Sequence, residues 1–120
     1  MPEGSGSSTG TNSERWLHEH QWQSEEVPCV AAATPVDLGA PPTHTLRIRE
    51  ITIRHAGTNN TIVTLIVGGV TLLSIDVPAQ STVTWSSQDG RKVAAGGQPT
   101  VQTSDVTGGS TFVSAVGTEG

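Results

Sequence analysis

The sequence predicts an all-β protein, an antiparallel β-sandwich or jelly roll with an extended N-terminal arm, and three observations carry that prediction. Serine and threonine make up 29 of the 120 residues, while only 14% of residues are charged, well under the globular average of about 25%. Apolar residues from 45 onward fall in short β-branched runs rather than at helical spacing. Turn signals separate these runs roughly every ten residues, as in two-sheet architectures. The same facts exclude a helical bundle, a coiled coil and a basic nucleic-acid-binding domain. The length suits one domain plus an appendage and rules out a large enzyme core.

Three zones follow along the chain. Residues 1–13 are a Gly/Ser/Thr tract with too little apolar surface to order itself. Residues 14–44 form a docking segment with two of the three tryptophans and four prolines. Ser13 could cap a short helix over Glu14–Gln23, on which Trp16 would meet His20. Pro28, Pro35, Pro41 and Pro42 then favour an extended path.

The β-sandwich domain is expected over 45–120. Thr45–His55 alternates as Leu46, Ile48, then Ile51, Ile53, and the phase slip at Arg49–Glu50 predicts a β-bulge. Asn59–Val67 and Val70–Val77 flank Gly68-Gly69, a two-residue hairpin signal. Both runs are nearly continuous in Ile, Leu and Val, which predicts central strands covered on both faces. Pro78-Ala79-Gln80 leads into Ser81–Ser87, with Val83 and Trp85 on one face, and Gln88-Asp89-Gly90 turns into Arg91–Ala94. Gly96-Gly97 precedes Thr100–Ser104, and Gly108-Gly109 precedes Thr111–Val116; both pairs read as hairpin turns.

Size and charge point toward association. A body of about 75 residues buries only around 60% of its unfolded surface, and this one holds one Phe, one Trp and no Tyr. The net charge of −5 lies wholly in residues 1–44, where Arg15 stands against Glu3, Glu14, Glu19, Glu25, Glu26 and Asp37. The β part is neutral, so little charge keeps it monomeric. Trp16, Leu17 and Trp22 would each lose about 1.5–3 kcal/mol if left in water. They are therefore the expected partner-binding residues of the arm. Arg47, Arg49 and Arg54 form the only basic cluster. They are either a solvated strand edge or a seat for an acidic partner segment.

The remaining chemistry reads as structural. His18-Glu19-His20 lacks a third ligand at metal spacing, so no metal is expected there. There is no G-x-S-x-G elbow, and the paired glycines precede no helix, so they are not phosphate loops. The lone Cys29 excludes an intrachain disulfide. Met1–Gly10 carries no secretory-signal pattern, and Ile62–Leu73 is too short and interrupted to span a bilayer. No catalytic residue, cofactor, nucleic-acid partner or membrane partner is expected.

The run TIVTLIVGGVTLLSIDVPAQSTVTW, followed by GRKVAAGGQPTVQTSDVTGGSTFVSAVGTEG, resembles small β-sandwich virion proteins of tailed bacteriophages. These are capsid decoration (cement) proteins and related minor head or tail proteins. The likeness rests on a hairpin of β-branched residues, the Val77-Pro78-Ala79 turn, a Gly-rich loop and a closing strand ending in Val116-Gly117-Thr118-Glu119. It covers 45–120 and leaves 1–44 unmatched. The resemblance implies a jelly-roll-like sandwich, often a homotrimer, on the capsid surface, with its arm reaching a neighbour. The expected function is that of a non-enzymatic virion structural protein, assembled in the host cytoplasm. It would cement the phage head through contacts with the major capsid protein and copies of itself. The alternative is a carbohydrate- or receptor-binding module of a tail or fibre, against which the scarcity of aromatics weighs.

Overall fold

A computed structural model describes residues 21–120. Nine strands form: β1 (Gln21–Gln23), β2 (Val27–Cys29), β3 (Val36–Asp37), β4 (Leu46–His55), β5 (Thr61–Val67), β6 (Val70–Val77), β7 (Thr82–Val93), β8 (Pro99–Thr103) and β9 (Thr111–Glu119). They make two antiparallel sheets packed face to face, and no helix occurs among the described residues. One sheet holds β1 and β2 on β9, then β4 and β7; the other runs β3-β8-β5-β6.

β1 and β2 are two halves of one edge strand. Gln23 pairs with Val116 and Val27 with Val113, so Ser24–Glu26 face only two residues of β9. Ser24 satisfies the irregularity, its N–H donating to the Ala115 carbonyl (2.9 Å) and its hydroxyl accepting from the Ala115 N–H (3.0 Å). Counted so, the described residues form eight strands in the orders 1-8-3-6 and 2-7-4-5. Among them only β5 and β6 are consecutive neighbours within a sheet; every other connection crosses between sheets.

The predicted bulge in β4 is present. Its register against both β7 and β9 shifts between Ile48 and Glu50. The extra residue returns Leu46, Ile48, Ile51, Ile53 and His55 to one inward face, all buried. They meet Val63 and Leu65 of β5, Val101 of β8, Ile75 and Val77 of β6, and Val113 and Ala115 of β9. Branched aliphatic side chains standing off two pleated faces thus fill the core. The Gly68-Gly69 hairpin also forms: both residues have positive φ (59° and 80°), as a type I′ turn requires.

Several expectations are corrected. The boundary at 44/45 does not separate arm from body, because residues 21–44 supply strands to both sheets and Trp22, Cys29 and Leu38 to the core. A deletion reaching residue 30 would therefore strip the β9 edge instead of leaving a folded body. Gln21–Gln23 is strand rather than the end of a helix, and the rest of the proposed helix lies outside the described residues. β6 is an edge strand, and Ile62 on the outer face of β5 is 45% exposed, so the hairpin is covered on one face only. A run of Ile, Leu and Val states β-propensity but not which sheet position the strand takes. Gly96-Gly97 and Gly108-Gly109 join strands of different sheets and are crossovers, not hairpins. Gln88-Asp89-Gly90 does not end a strand: β7 runs on to Val93, with Ser87–Gly90 as an excursion opposite the β4 bulge.

Candidate functional site

Trp22 is where the arm reading and the structure part. Its alternating place in β1 turns the indole inward, leaving it 5% exposed. The ring N–H donates to the Ala40 carbonyl at 3.0 Å. Gly39 makes this packing possible, since a Cβ there would stand 2.6 Å from the indole Cζ2. An indole so enclosed offers no surface to another chain, which removes Trp22 from the partner-binding set. Trp16 and Leu17 lie outside the described residues, as do His18 and His20.

The three arginines are not one patch. Arg47 and Arg54 stand at opposite ends of β4, roughly 20 Å apart at about 3.3 Å per residue. Arg49, the bulged residue, donates through Nε to Thr118 Oγ1 (3.1 Å) and through Nη1 to the Gln88 carbonyl. Arg47 Nη1 reaches the Asp89 carbonyl at 3.4 Å. These two guanidiniums thus brace the Ser87–Gly90 excursion of β7. Arg54 lies over the Phe112 ring at 4.2 Å and pairs with Glu26 at 3.1 Å. The acidic group that Arg54 meets thus belongs to its own chain. Both partners are half-exposed, so the pair contributes about 0–1 kcal/mol.

The most concentrated polar chemistry lies at one end of the sandwich, at a residue the sequence reading passed over. His55, 2% exposed, closes the inward face of β4. Nε2 lies 2.8 Å from the Asn59 carbonyl, so it carries the proton and donates. Nδ1 lies 2.8 Å from the Thr111 hydroxyl. Thr111 Oγ1 is 3.1 Å from Thr103 Oγ1, which in turn meets the Thr61 hydroxyl. Thr61 Oγ1 also accepts the N–H groups of Ser104 (3.1 Å) and Asp105 (3.0 Å). The chain of groups ties β4 and β9 of one sheet to β8 and β5 of the other, and among the described residues no buried side-chain polar atom lacks a partner. The signal was in the phase: Ile51, Ile53, His55 alternate inward.

Asp105 secures the loop over this network. The Thr107 N–H donates to Oδ1 (2.8 Å), and Asn59 Nδ2 donates to Oδ2 (3.2 Å). These bonds, Thr107 foremost, hold the carboxyl below its ordinary value, with a smaller favourable field from His55. A lowered folded-state pKa means stability that is present above the unfolded pKa and lost as pH falls through the folded one. Urea titrations from pH 5 to pH 2 should show stability declining in that acid window. In Asp105→Asn the decline should be shallower; equal slopes in both proteins would refute the assignment.

Beside the network, Asn60, Ile62, Asp76, Pro78 and Ser104 line an open groove of about 450 Å³. Cys29 is buried, and burial raises its thiol pKa, which leaves it a packing residue. Among the described residues no group of three His, Cys, Asp or Glu side chains is placed to hold a metal ion, and no helix is long and apolar enough to cross a membrane. The chain matches no protein-family model, and it matches no curated protein.

Proposed function

We propose that this protein is a non-enzymatic structural component of a phage particle, a decoration (cement) protein of jelly-roll type that binds the capsid surface and copies of itself. One observation carries the reading: among the described residues, the buried His55 and Cys29 and the two arginines at the β4 bulge are engaged in holding the fold together. His55 is enclosed by Thr111 and Asn59, Cys29 is packed in the core, and Arg47 and Arg49 grip backbone carbonyls. In this reading the molecule offers a partner its surface rather than a reacting group. The strand orders 1-8-3-6 and 2-7-4-5 support the jelly-roll part, an arrangement of two Greek keys found in capsid and lectin domains. Cementing asks for no chemistry. Each copy buries area across a joint between shell subunits, and many symmetric copies act together. In this reading Trp16 and Leu17, not Trp22, remain as arm anchors.

The test is addition of purified protein to shells assembled from the major capsid protein encoded with it. It should co-sediment with them and raise their rupture temperature. Shells that neither bind it nor gain heat resistance would exclude cementing.

A second reading, a saccharide-binding module of a tail or fibre, is favoured by the groove at Asn60 and Asp76. There an amide and a carboxylate share the lining with the apolar Ile62 and Pro78. Specific signals on a glycan array that vanish in Asp76→Ala would promote it.

A further inference from the structure

The two sheets have four edges, and three of them carry devices that discourage pairing with another chain. The β1–β2 edge is broken by its bulge, contains Pro28 and exposes Glu25 and Glu26. The β7 edge is interrupted by the Ser87–Gly90 excursion and carries Arg91 and Lys92. The β3 edge is only two residues long and follows Pro35. Shortness, proline, bulges and charge are the usual protections of an open edge.

The fourth edge differs. β6, Val70-Thr71-Leu72-Leu73-Ser74-Ile75-Asp76-Val77, contains no Pro, Lys or Arg, and Asp76 is its only charge. Its one irregularity is the extra residue at Leu72, beyond which Leu73–Val77 keep regular register against β5. Val70 is 61% exposed at the hairpin end. Leu72 and Leu73 are half-buried, as are Val83 and Trp85 of β7, the strand that follows β6 into the facing sheet. Eight residues thus present a row of backbone groups unpaired by any described strand, beside an apolar flank.

We infer that β6 is the pairing edge for a second copy of this chain. The occupant must be a strand, because only a strand satisfies a row of alternating N–H and C=O groups. Another β6 is the fitting one. Identical strands pair antiparallel about a two-fold axis, so one unprotected edge per molecule closes into a dimer and goes no further. In a pairing centred on the strand, Asp76 lies opposite the Val70–Leu72 end and not opposite its own copy, so no like charges meet. The apolar flanks then cover one another. A strand of eight residues is about 26 Å long. Pairing along it covers less than the roughly 800 Å² per partner of a standard interface. The dimer is therefore expected at the weak, concentration-dependent end of such interfaces. It replaces the trimer that the resemblance implies. The inference deepens the self-associating part of the proposed function and does not depend on the capsid; shell binding is not among its readouts.

The test uses the full chain and the double variant Thr71→Glu/Ser74→Glu. Both side chains are exposed on the outer face of β6, so glutamates there leave the core untouched, which thermal melts verify. Across the seam the first faces Asp76 of the copy and the second lies near its own copy, so like charges meet. Sedimentation equilibrium should show the wild-type mass doubling with concentration, and the variant dimerising more than about tenfold more weakly. Hydrogen exchange should show β6 amides gaining protection as the wild-type concentration rises. A trimer, or a dimer indifferent to the glutamates, would place the contact elsewhere and overturn the inference. So would a monomer at all concentrations: with protected β6 amides, the chain covers its own edge; with unprotected ones, the edge is bare.

Discussion

Trp22→Ala should destabilise the isolated protein by about 3–5 kcal/mol, the cost of emptying a buried aromatic site. The indole is buried against Gly39, and its N–H satisfies the Ala40 carbonyl. The alanine variant loses the burial and leaves that carbonyl without its donor. For a domain of this size each kcal/mol moves the midpoint by roughly 4–8 °C, so a fall of about 20 °C is expected in a thermal melt of dilute protein. The dilute condition matters. A tryptophan that docked on another chain would, when removed, leave the melt of the lone molecule unchanged. An unaltered midpoint would restore Trp22 to the partner-binding set and make residues 21–44 an arm again.

His55→Leu should cost about 1–3 kcal/mol in equilibrium urea unfolding, although the leucine is apolar and of similar size. The substitution leaves the Thr111 hydroxyl and the Asn59 carbonyl, each 2.8 Å from an imidazole nitrogen, without that partner. The Thr111 hydroxyl is buried, and a stranded buried group costs about 1–3 kcal/mol; Asn59 is exposed, and water can take the place of the imidazole there. The network also predicts a pattern of non-additivity. Combining His55→Leu with Thr111→Val and Thr103→Val removes the stranded hydroxyls together with their partners. The triple variant should therefore lose less stability than the three single losses summed. Strict additivity would mean that the hydroxyls act as independent packing groups and that the chain from His55 to Thr61 is no unit.

Much of the fold was legible because strands write a period of two. In β4 the alternation, the slip at Arg49–Glu50 and the resumed alternation through Ile53 appear in the sequence and reappear as the shifted register. Gly68-Gly69 was legible because a two-residue turn with both φ positive demands glycine or asparagine. The edge position of β6 was not, since nothing in an apolar run says which neighbour it lacks. The arm was misjudged for a related reason. Gln21–Gln23 and Val27–Cys29 are three-residue pieces around a bulge, too short for any period to register. Only β9, almost a hundred residues later, makes them a strand. The arginines misled because their spacing is visible in sequence while their acceptors, the carbonyls of Gln88 and Asp89 and the carboxylate of Glu26, are distant along the chain.

The sequence by itself determined that the chain is all-β, where β4, β5 and β6 run and where β4 bends, since backbone sterics and the two-residue period act locally. Tertiary structure alone decided that residues 21–44 belong to the body, that Trp22 is interior, that His55 and three threonines join the sheets, and that β6 is left open. The physical reason is one: among the described residues, apart from a single hairpin, every connection crosses between the sheets. Each pairing therefore joins segments far apart in sequence, and no local pattern encodes a distant partner.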